Sequence, residues 1–586
     1  MTSPETSPTL LDLFDAHVDA TTLSWFAQDL DPPAAWARHI PTDAQGWTTL
    51  TGPGIREHVR SLAAGLVDMG VAIGDRVAMM MSNRPEHWLA DLAVIQAGGI
   101  PTTFYPTLSP DQVRSQATHV GVTTVILQNA GQIQHLSHSL ASAGVRRRVV
   151  LDGNSSHDED DPNTQSYNRI LERGRVALEQ DPGILERSTR RRSAGDLATI
   201  IFTSGTTAEP KAVPLTHGNV IAAASGLLDA ADLPMPYRSV SYLPTAHILD
   251  RLCNIYITVM RGGDISFSPT PDSLPRVVAH ARPTSFVGVP RTWEKFLSTL
   301  KNAPEGHDVE ALGVIGLQDV VLATTAGAPI SGQVAEGLRA RGLPLVDIWG
   351  LTEVAGAITA TSSAGARPHS VGRAVSHAEL KIAPDGEVLV RGPQVAPGYL
   401  REDGSLDAIV DADGWFATGD LGSRDPDGYL YLTDRKKEVI VTSGGKNVSP
   451  VALESLLLQS PLISQAAVFG NRRPYIVALL VLDFDYLRTR IESASTDVDQ
   501  PGADRHRLVH DPEIEAEVAR TIGAVNGQLA RSEGIKRWHL LAEQWTTSDG
   551  TLTPTQKMRR GVIEERYQDV LERLYTDGRP ARSENI

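Results

Sequence analysis

The run Asp196–Phe202 (DLATIIF) leads without a break into Thr203-Ser204-Gly205-Thr206-Thr207-Ala208-Glu209-Pro210-Lys211. This junction constrains the fold more than any other segment. The apolar run reads as a buried strand, and a helix-like stretch, NVIAAASGLLDAA, follows the loop. Hydroxyls, a flexible glycine and a lysine at a strand end can wrap a polyphosphate, with backbone N–H groups and hydroxyls donating to its oxygens. The G-x-x-x-x-G-K-[ST] spacing of the common P-loop is absent. On composition alone the segment reads either as a phosphate loop or as a polar surface turn.

The same alternation begins earlier. SLAAGLVDMGV repeats apolar residues at helical spacing, DRVAMMM is a short apolar strand, and DLAVIQAGGIP is a helix ended by glycine. That rhythm predicts βα units and a largely parallel sheet. Residues 152–165 (DGNSSHDEDDPNTQ) are expected to form an acidic surface loop. Near 427–450 come a Gly-Tyr turn, the strand YLYLT and the charged segment DRKKE, and after them the pattern resets. VALESLLLQ then reads as a helix, QAAVFG and YIVALLVLD as strands, and 492–512 as a polar loop. The 586 residues exceed one ordinary core, so several subdomains are expected, with a boundary near 434.

Charge and cysteine content exclude some functions. With 54 basic and 70 acidic residues the formal charge is −16, which argues against general nucleic-acid binding. The single cysteine, Cys253, permits neither an internal disulfide framework nor a cysteine metal cluster. No positive charge precedes Arg38, no apolar run reaches 18 residues, and the last residues, SENI, are not a targeting address. These features predict a cytoplasmic protein with no transmembrane segment and at most peripheral membrane contact. Monomer and homodimer stay open.

Further segments carry chemistry. Leu243-Pro244-Thr245-Ala246-His247 is followed by Arg251 and by Gly288-Val289-Pro290-Arg291-Thr292-Trp293-Glu294-Lys295. Ala326-Gly327-Ala328-Pro329 precedes Asp347-Ile348-Trp349-Gly350-Leu351-Thr352-Glu353. Then come Phe416-Ala417-Thr418-Gly419-Asp420-Leu421-Gly422, Asp434-Arg435-Lys436-Lys437-Glu438, Ser443-Gly444-Gly445-Lys446-Asn447-Val448-Ser449 and Leu552-Thr553-Pro554-Thr555-Gln556-Lys557-Met558-Arg559-Arg560. Read singly, these are a structural histidine, a capped helix, a turn aspartate, a solvated charge run and an exposed lysine.

Taken together and in this order, they resemble the adenylate-forming superfamily over residues 45–575, nearest the bacterial long-chain-fatty-acid CoA ligases. The resemblance implies an α/β fold. A large N-terminal domain of α/β subdomains (1–433) would be joined by a hinge linker (434–438) to a smaller, mobile α+β C-terminal domain (439–586). It implies an acyl-CoA synthetase that turns a carboxylic acid, ATP and coenzyme A into acyl-CoA, AMP and pyrophosphate through an acyl-adenylate.

The implied roles follow the motifs. Thr203, Ser204, Gly205, Thr206, Thr207 and Lys211 would hold the phosphates. Gly327, Ala328 and Pro329, with Asp347, Ile348, Trp349 and Gly350, would line the base, Trp349 stacking on it. Thr352 would bond the α-phosphate, and Glu353 with Thr206 would hold Mg2+. His247 would lie by the substrate carboxylate, with an apolar acyl site near residues 240–300. Asp420 and Arg435 would hold the ribose, Lys437 would be the hinge, Gly444 and Gly445 would meet the pantetheine of CoA, and Lys557 would be the mobile catalytic lysine.

The family's phosphate loop has glycine where this chain has Ala208 and Ala212. A positive φ at either position would cost an alanine roughly 1 kcal/mol. Three alternatives stay open: an acyl-AMP ligase loading a carrier protein, an oxidative luciferase, and a catalytically silent nucleotide-binding homologue.

Overall fold

The computed structural model describes residues 7–576, apart from 32–34, 152–162, 190–191, 204–209, 232, 234, 301–308, 329, 493–502, 532 and 554–556. Its largest sheet has nine strands. Six run parallel in the order Leu197–Thr203, Ile100–Thr103, Arg76–Met80, Val122–Leu127, Arg147–Val150 and Thr164–Ser166. The helix Pro85–Ala97 crosses between the strands at 76–80 and 100–103. It starts on a proline at its first position and ends on Gly98 at φ 100°, the usual entry and exit residues of a helix.

The parallel order matches the sequence rhythm, but one junction does not. A strand, Lys211–Thr216, stands between the phosphate-loop segment and the helix His217–Ala231. It pairs antiparallel with Leu197–Thr203, so Thr203 and Lys211 face each other across a hairpin. Pro214 hides this strand in the sequence, because proline removes a ladder donor. It is tolerated because the next strand, Tyr399–Leu400, meets this one only where Leu400 pairs with Ala212.

Two further expectations are corrected. Of the acidic segment 152–165, residues 152–162 lie outside the described residues, and its end belongs to the edge strand Thr164–Ser166. The polar segment 492–512 is not all loop, for it contains the helix Ala503–Leu508.

Two smaller parallel arrays continue the large half. In one, Arg238–Ser241, Gly263–Phe267 and Thr21–Phe26 run parallel, with Trp47–Thr51 antiparallel at the edge. The other is Ser285–Gly288, Leu322–Thr325 and Leu345–Asp347. An antiparallel sheet of Glu379–Ile382, Glu387–Arg391, Phe416–Arg424 and Leu430–Arg435 follows.

Beyond it, residues between Ile440 and Leu574 build a hydrophobic core of their own. The strand Ile476–Leu482 there is buried at every position, as expected when both faces of a strand are covered. Its neighbours are Ile463–Phe469 and Ile535–Leu541. Among the described residues no helix is long and apolar enough to cross a membrane.

Candidate active site

The hairpin Trp349–Leu351 with Gly356–Ala360 brings much of the motif chemistry to one place. Its strands approach so closely that a Cβ on Gly350 would lie 1.6 Å from the Gly356 carbonyl oxygen. Only glycine fits there. The chain then turns through Thr352–Val354, and Ala355 adopts φ 56°. Thr352 and Glu353 are left half-buried at the turn.

Trp349 and Asp420 meet on the other side of this hairpin. The indole N–H donates to Asp420 Oδ2 at 2.9 Å. Asp420 and Arg435 are cross-strand neighbours, and Arg435 Nε lies 2.8 Å from Asp420 Oδ1. Burial raises the Asp420 pKa, opposed by Arg435, by the indole hydrogen bond and by the charge of Lys557. Asp347 ends the strand Leu345–Asp347. Its pKa is pushed up to about 6 by burial, against the weaker pull of Arg339 and His369. Ile348 is buried and donates its N–H to the Thr325 carbonyl at 3.1 Å. Gly327, at φ 86°, and Ala328 are exposed at the end of the neighbouring strand.

Lys557 reaches this cleft from the C-terminal half. Its carbonyl accepts from the Thr553 N–H at 2.7 Å, and its own N–H donates to Thr553 Oγ1 at 3.0 Å. Three residues on, Arg560 forms a two-pronged ion pair with the buried Glu454, at 2.6 and 2.9 Å, and donates to the Val468 carbonyl at 3.0 Å. Although water reaches the Lys557 side chain, the cleft walls desolvate its ammonium and lower its pKa. Arg435 adds to this, while Asp420, Glu353 and Glu438 pull the other way.

His247 feels the same lysine. Burial first, and then the Lys557 charge, lower its pKa to about 3. Its Nδ1 accepts from the Leu249 N–H at 3.2 Å. The ring is therefore neutral, with its proton on Nε2. Arg251, nearby in sequence, is fully buried and paired with Asp91 at 2.6 Å. Within residues 240–300, Tyr242 stacks on Phe286, and Trp293 packs edge-on to the same ring.

The phosphate-loop residues Ser204, Gly205, Thr206, Thr207 and Ala208 lie outside the described residues, as does Pro329. The flanks are described: Thr203 Oγ1 donates to the Lys211 carbonyl at 3.5 Å, and Lys211 is exposed. Ala212 is fully buried in an extended strand and is not among the residues with positive φ. The backbone cost expected for an alanine there is not incurred.

Tyr399 escaped sequence reasoning. Its hydroxyl donates to Glu353 Oε1 at 2.8 Å, and Lys211 Nζ lies 4.1 Å from its ring centroid. Burial and the Glu353 carboxylate raise its pKa, so the hydroxyl keeps its proton. In sequence this is a tyrosine after Gly398 with no charged neighbour before Arg401. Long-range contacts bring it there: Leu400 pairs with Ala212, and the Ala396 N–H donates to the Glu353 carbonyl.

At the linker, Lys436 Nζ contacts Asp385 at 2.6 Å and Glu387 at 2.7 Å. Glu438 lies 4.0 Å from Arg560. Lys437, between them, is exposed and has no hydrogen bond or ion pair among the described residues. Gly444 and Gly445 lie at the exposed tip of a two-stranded hairpin of Ile440–Val441 and Asn447–Val448, whose Ile440 and Val448 are buried, with Gly445 at φ 70°.

This chain belongs to the AMP-binding enzyme family, which it matches over residues 27–400, and residues 437–579 match the AMP-binding enzyme C-terminal domain. Among curated relatives, the long-chain-fatty-acid--CoA ligase FadD15 of Mycobacterium bovis is 30% identical, with 90% of this chain and 92% of that protein covered. The long-chain-fatty-acid--CoA ligase ACSBG2 of Gallus gallus is 26% identical, with 86% and 74% covered. The crystal structure of ATP-bound MatB from Rhodopseudomonas palustris superposes with a TM-score of 0.69 at 22% identity, covering 94% of this chain and 99% of that one.

Proposed function

We propose that this chain is an ATP-dependent acyl-CoA synthetase acting on a fatty acid, with a long-chain acid as its substrate. What supports the reading is that the charge of Lys557 acts on Asp420 and His247 and is acted on by Glu353, residues far apart in sequence, together with the bonded set of Trp349, Asp420 and Arg435. Relatives named long-chain-fatty-acid--CoA ligases support the choice of acid. Each buried CH₂ contributes about 0.8 kcal/mol, so the depth of an acyl site near residues 240–300 would set chain-length preference.

In the first half-reaction a carboxylate oxygen attacks the α-phosphorus, the bond to the bridging oxygen breaks, and pyrophosphate leaves. Asp420 and Arg435 hold the ribose, and Trp349 gives the base an aromatic face. Neutral His247 donates from Nε2 to the carboxylate. Lys557 places its charge where negative charge gathers between carboxylate and α-phosphate.

Glu353 and Thr206 are the residues that would hold Mg2+. Mg2+ is commonly bound by one or two carboxylates plus substrate phosphates, and the second oxygen of Glu353 has no hydrogen-bond donor among the described residues. When bound, the ion would neutralise phosphate charge.

In the second half-reaction the small domain turns about Lys437, withdrawing Lys557 and bringing the Gly444–Gly445 hairpin to the cleft. The CoA thiolate attacks the acyl carbon, the bond to the AMP oxygen breaks, and AMP leaves. Such a turn lets one cleft run two chemistries.

The test is carboxylate-dependent ATP–pyrophosphate exchange across straight-chain acids, followed by addition of CoA and detection of thioester by mass. Exchange peaking at long chains with acyl-CoA and AMP formed is the expected result. Exchange without thioester would replace this reading with the carrier-protein ligase. Binding of ATP without exchange for any acid would overturn it.

A further inference from the structure

Lys211 and Glu353 carry opposite charges and both contact Tyr399, yet they do not pair with each other among the described residues. Tyr399 stands between them. One face of its ring takes the Lys211 ammonium, 4.1 Å from the centroid, and its hydroxyl donates to Glu353 Oε1 at 2.8 Å.

The segment that carries Tyr399 is fixed at several points. The Ala396 N–H donates to the Glu353 carbonyl at 2.8 Å. Asn219 Nδ2, in the first turn of the helix His217–Ala231, donates to the carbonyls of Pro393 at 2.7 Å and Val395 at 3.0 Å. Leu400 pairs with Ala212, next to Lys211. The ring is therefore held from both the lysine's strand and the glutamate's turn.

We propose that Tyr399 is a positioning residue that keeps Lys211 and Glu353 from collapsing into an ion pair, leaving the lysine for phosphate oxygens and the carboxylate for a divalent cation. A lysine over an aromatic face keeps its charge and its N–H donors while its stem is restrained. A carboxylate that accepts one hydroxyl hydrogen bond keeps its second oxygen for a metal. The assignment of phosphates to Lys211 and of the cation to Glu353 rests on the adenylation reading above.

The test is calorimetric binding of ATP with Mg2+ and of ATP with EDTA, with no acid present, to the full-length wild type and two variants. Tyr399→Phe keeps the ring and deletes the hydroxyl. It is expected to lose about tenfold in affinity for MgATP, the size expected for a hydrogen bond to a charged group, and to bind metal-free ATP as wild type does. Tyr399→Leu frees both partners and is expected to lose about tenfold or more in both titrations. Tyr399→Phe binding MgATP with wild-type affinity would overturn the proposal. So would an equal loss with and without Mg2+, the mark of a merely structural role.

Should Tyr399→Leu not fold, the Phe comparison decides alone. A wild type that binds MgATP but exchanges pyrophosphate with no acid would refute the synthetase reading while leaving this comparison readable.

Discussion

The indole N–H of Trp349 donates to the buried carboxylate of Asp420 at 2.9 Å, so the aromatic proposed for the base and the acid proposed for the ribose are one unit. A hydrogen bond to a charged group contributes about 1.5–3 kcal/mol. Trp349→Phe keeps an aromatic face and deletes the N–H. Urea unfolding should show the folded state weakened by about that amount, with ATP affinity falling in parallel. Unchanged stability would mean that Arg435 alone satisfies Asp420.

Lys557→Ala should abolish carboxylate-dependent pyrophosphate exchange and spare thioester formation from supplied acyl-AMP and CoA. The two half-reactions can be assayed separately. Equal loss in both would remove Lys557 from its proposed role.

Asp347 gives a pH-dependent prediction. Its folded pKa of about 6 lies above the ordinary carboxylate value. The fold therefore favours its protonated form. That contribution is fully present below about pH 4 and is lost as pH rises through about 6. Asp347→Asn removes the penalty of charging a half-buried carboxylate. Relative to wild type it should gain about 2.5 kcal/mol between pH 4 and pH 8, close to the full value of a shift of about two pKa units at 1.36 kcal/mol per unit. A gain that is the same at both pH values would place the Asp347 pKa at its ordinary value.

Ala212→Gly restores the residue usual in the family's loop. Because Ala212 is buried in an extended strand, the substitution should not improve the KM for ATP. It should lower stability by about 1–2 kcal/mol, from backbone entropy and a lost buried methyl. A lower KM would show that the alanine does constrain the loop.

The parallel sheet and its crossing helices were legible because apolar periodicity and glycine ends are local signals. DRVAMMM became Arg76–Met80, and DLAVIQAGG ends at Gly98. The strand Lys211–Thr216 was not legible, since Pro214 argues against a strand unless its neighbour's short reach is known. The candidate site was legible where chemistry is concentrated in a motif, as at Asp420 and Lys557. Tyr399 lacks any such local context, and its two contacts depend on long-range ones, the pairing of Leu400 with Ala212, 188 residues earlier in the chain, and the bond from the Ala396 N–H to the Glu353 carbonyl. Sequence motifs also could not show that Trp349 and Asp420 bond to each other, because 71 residues separate them.

The chain changes allegiance within three residues at the linker. Lys436 is bound to Asp385 and Glu387 on one side, Glu438 leans toward Arg560 on the other, and Lys437 between them has no hydrogen bond or ion pair among the described residues. A joint that short would work as a swivel and not as a leash. The smaller part could turn about the two soft bonds of one residue but could not wander, so little disorder would have to be frozen out at each turn. The timing of the two half-reactions would then depend on two backbone torsions.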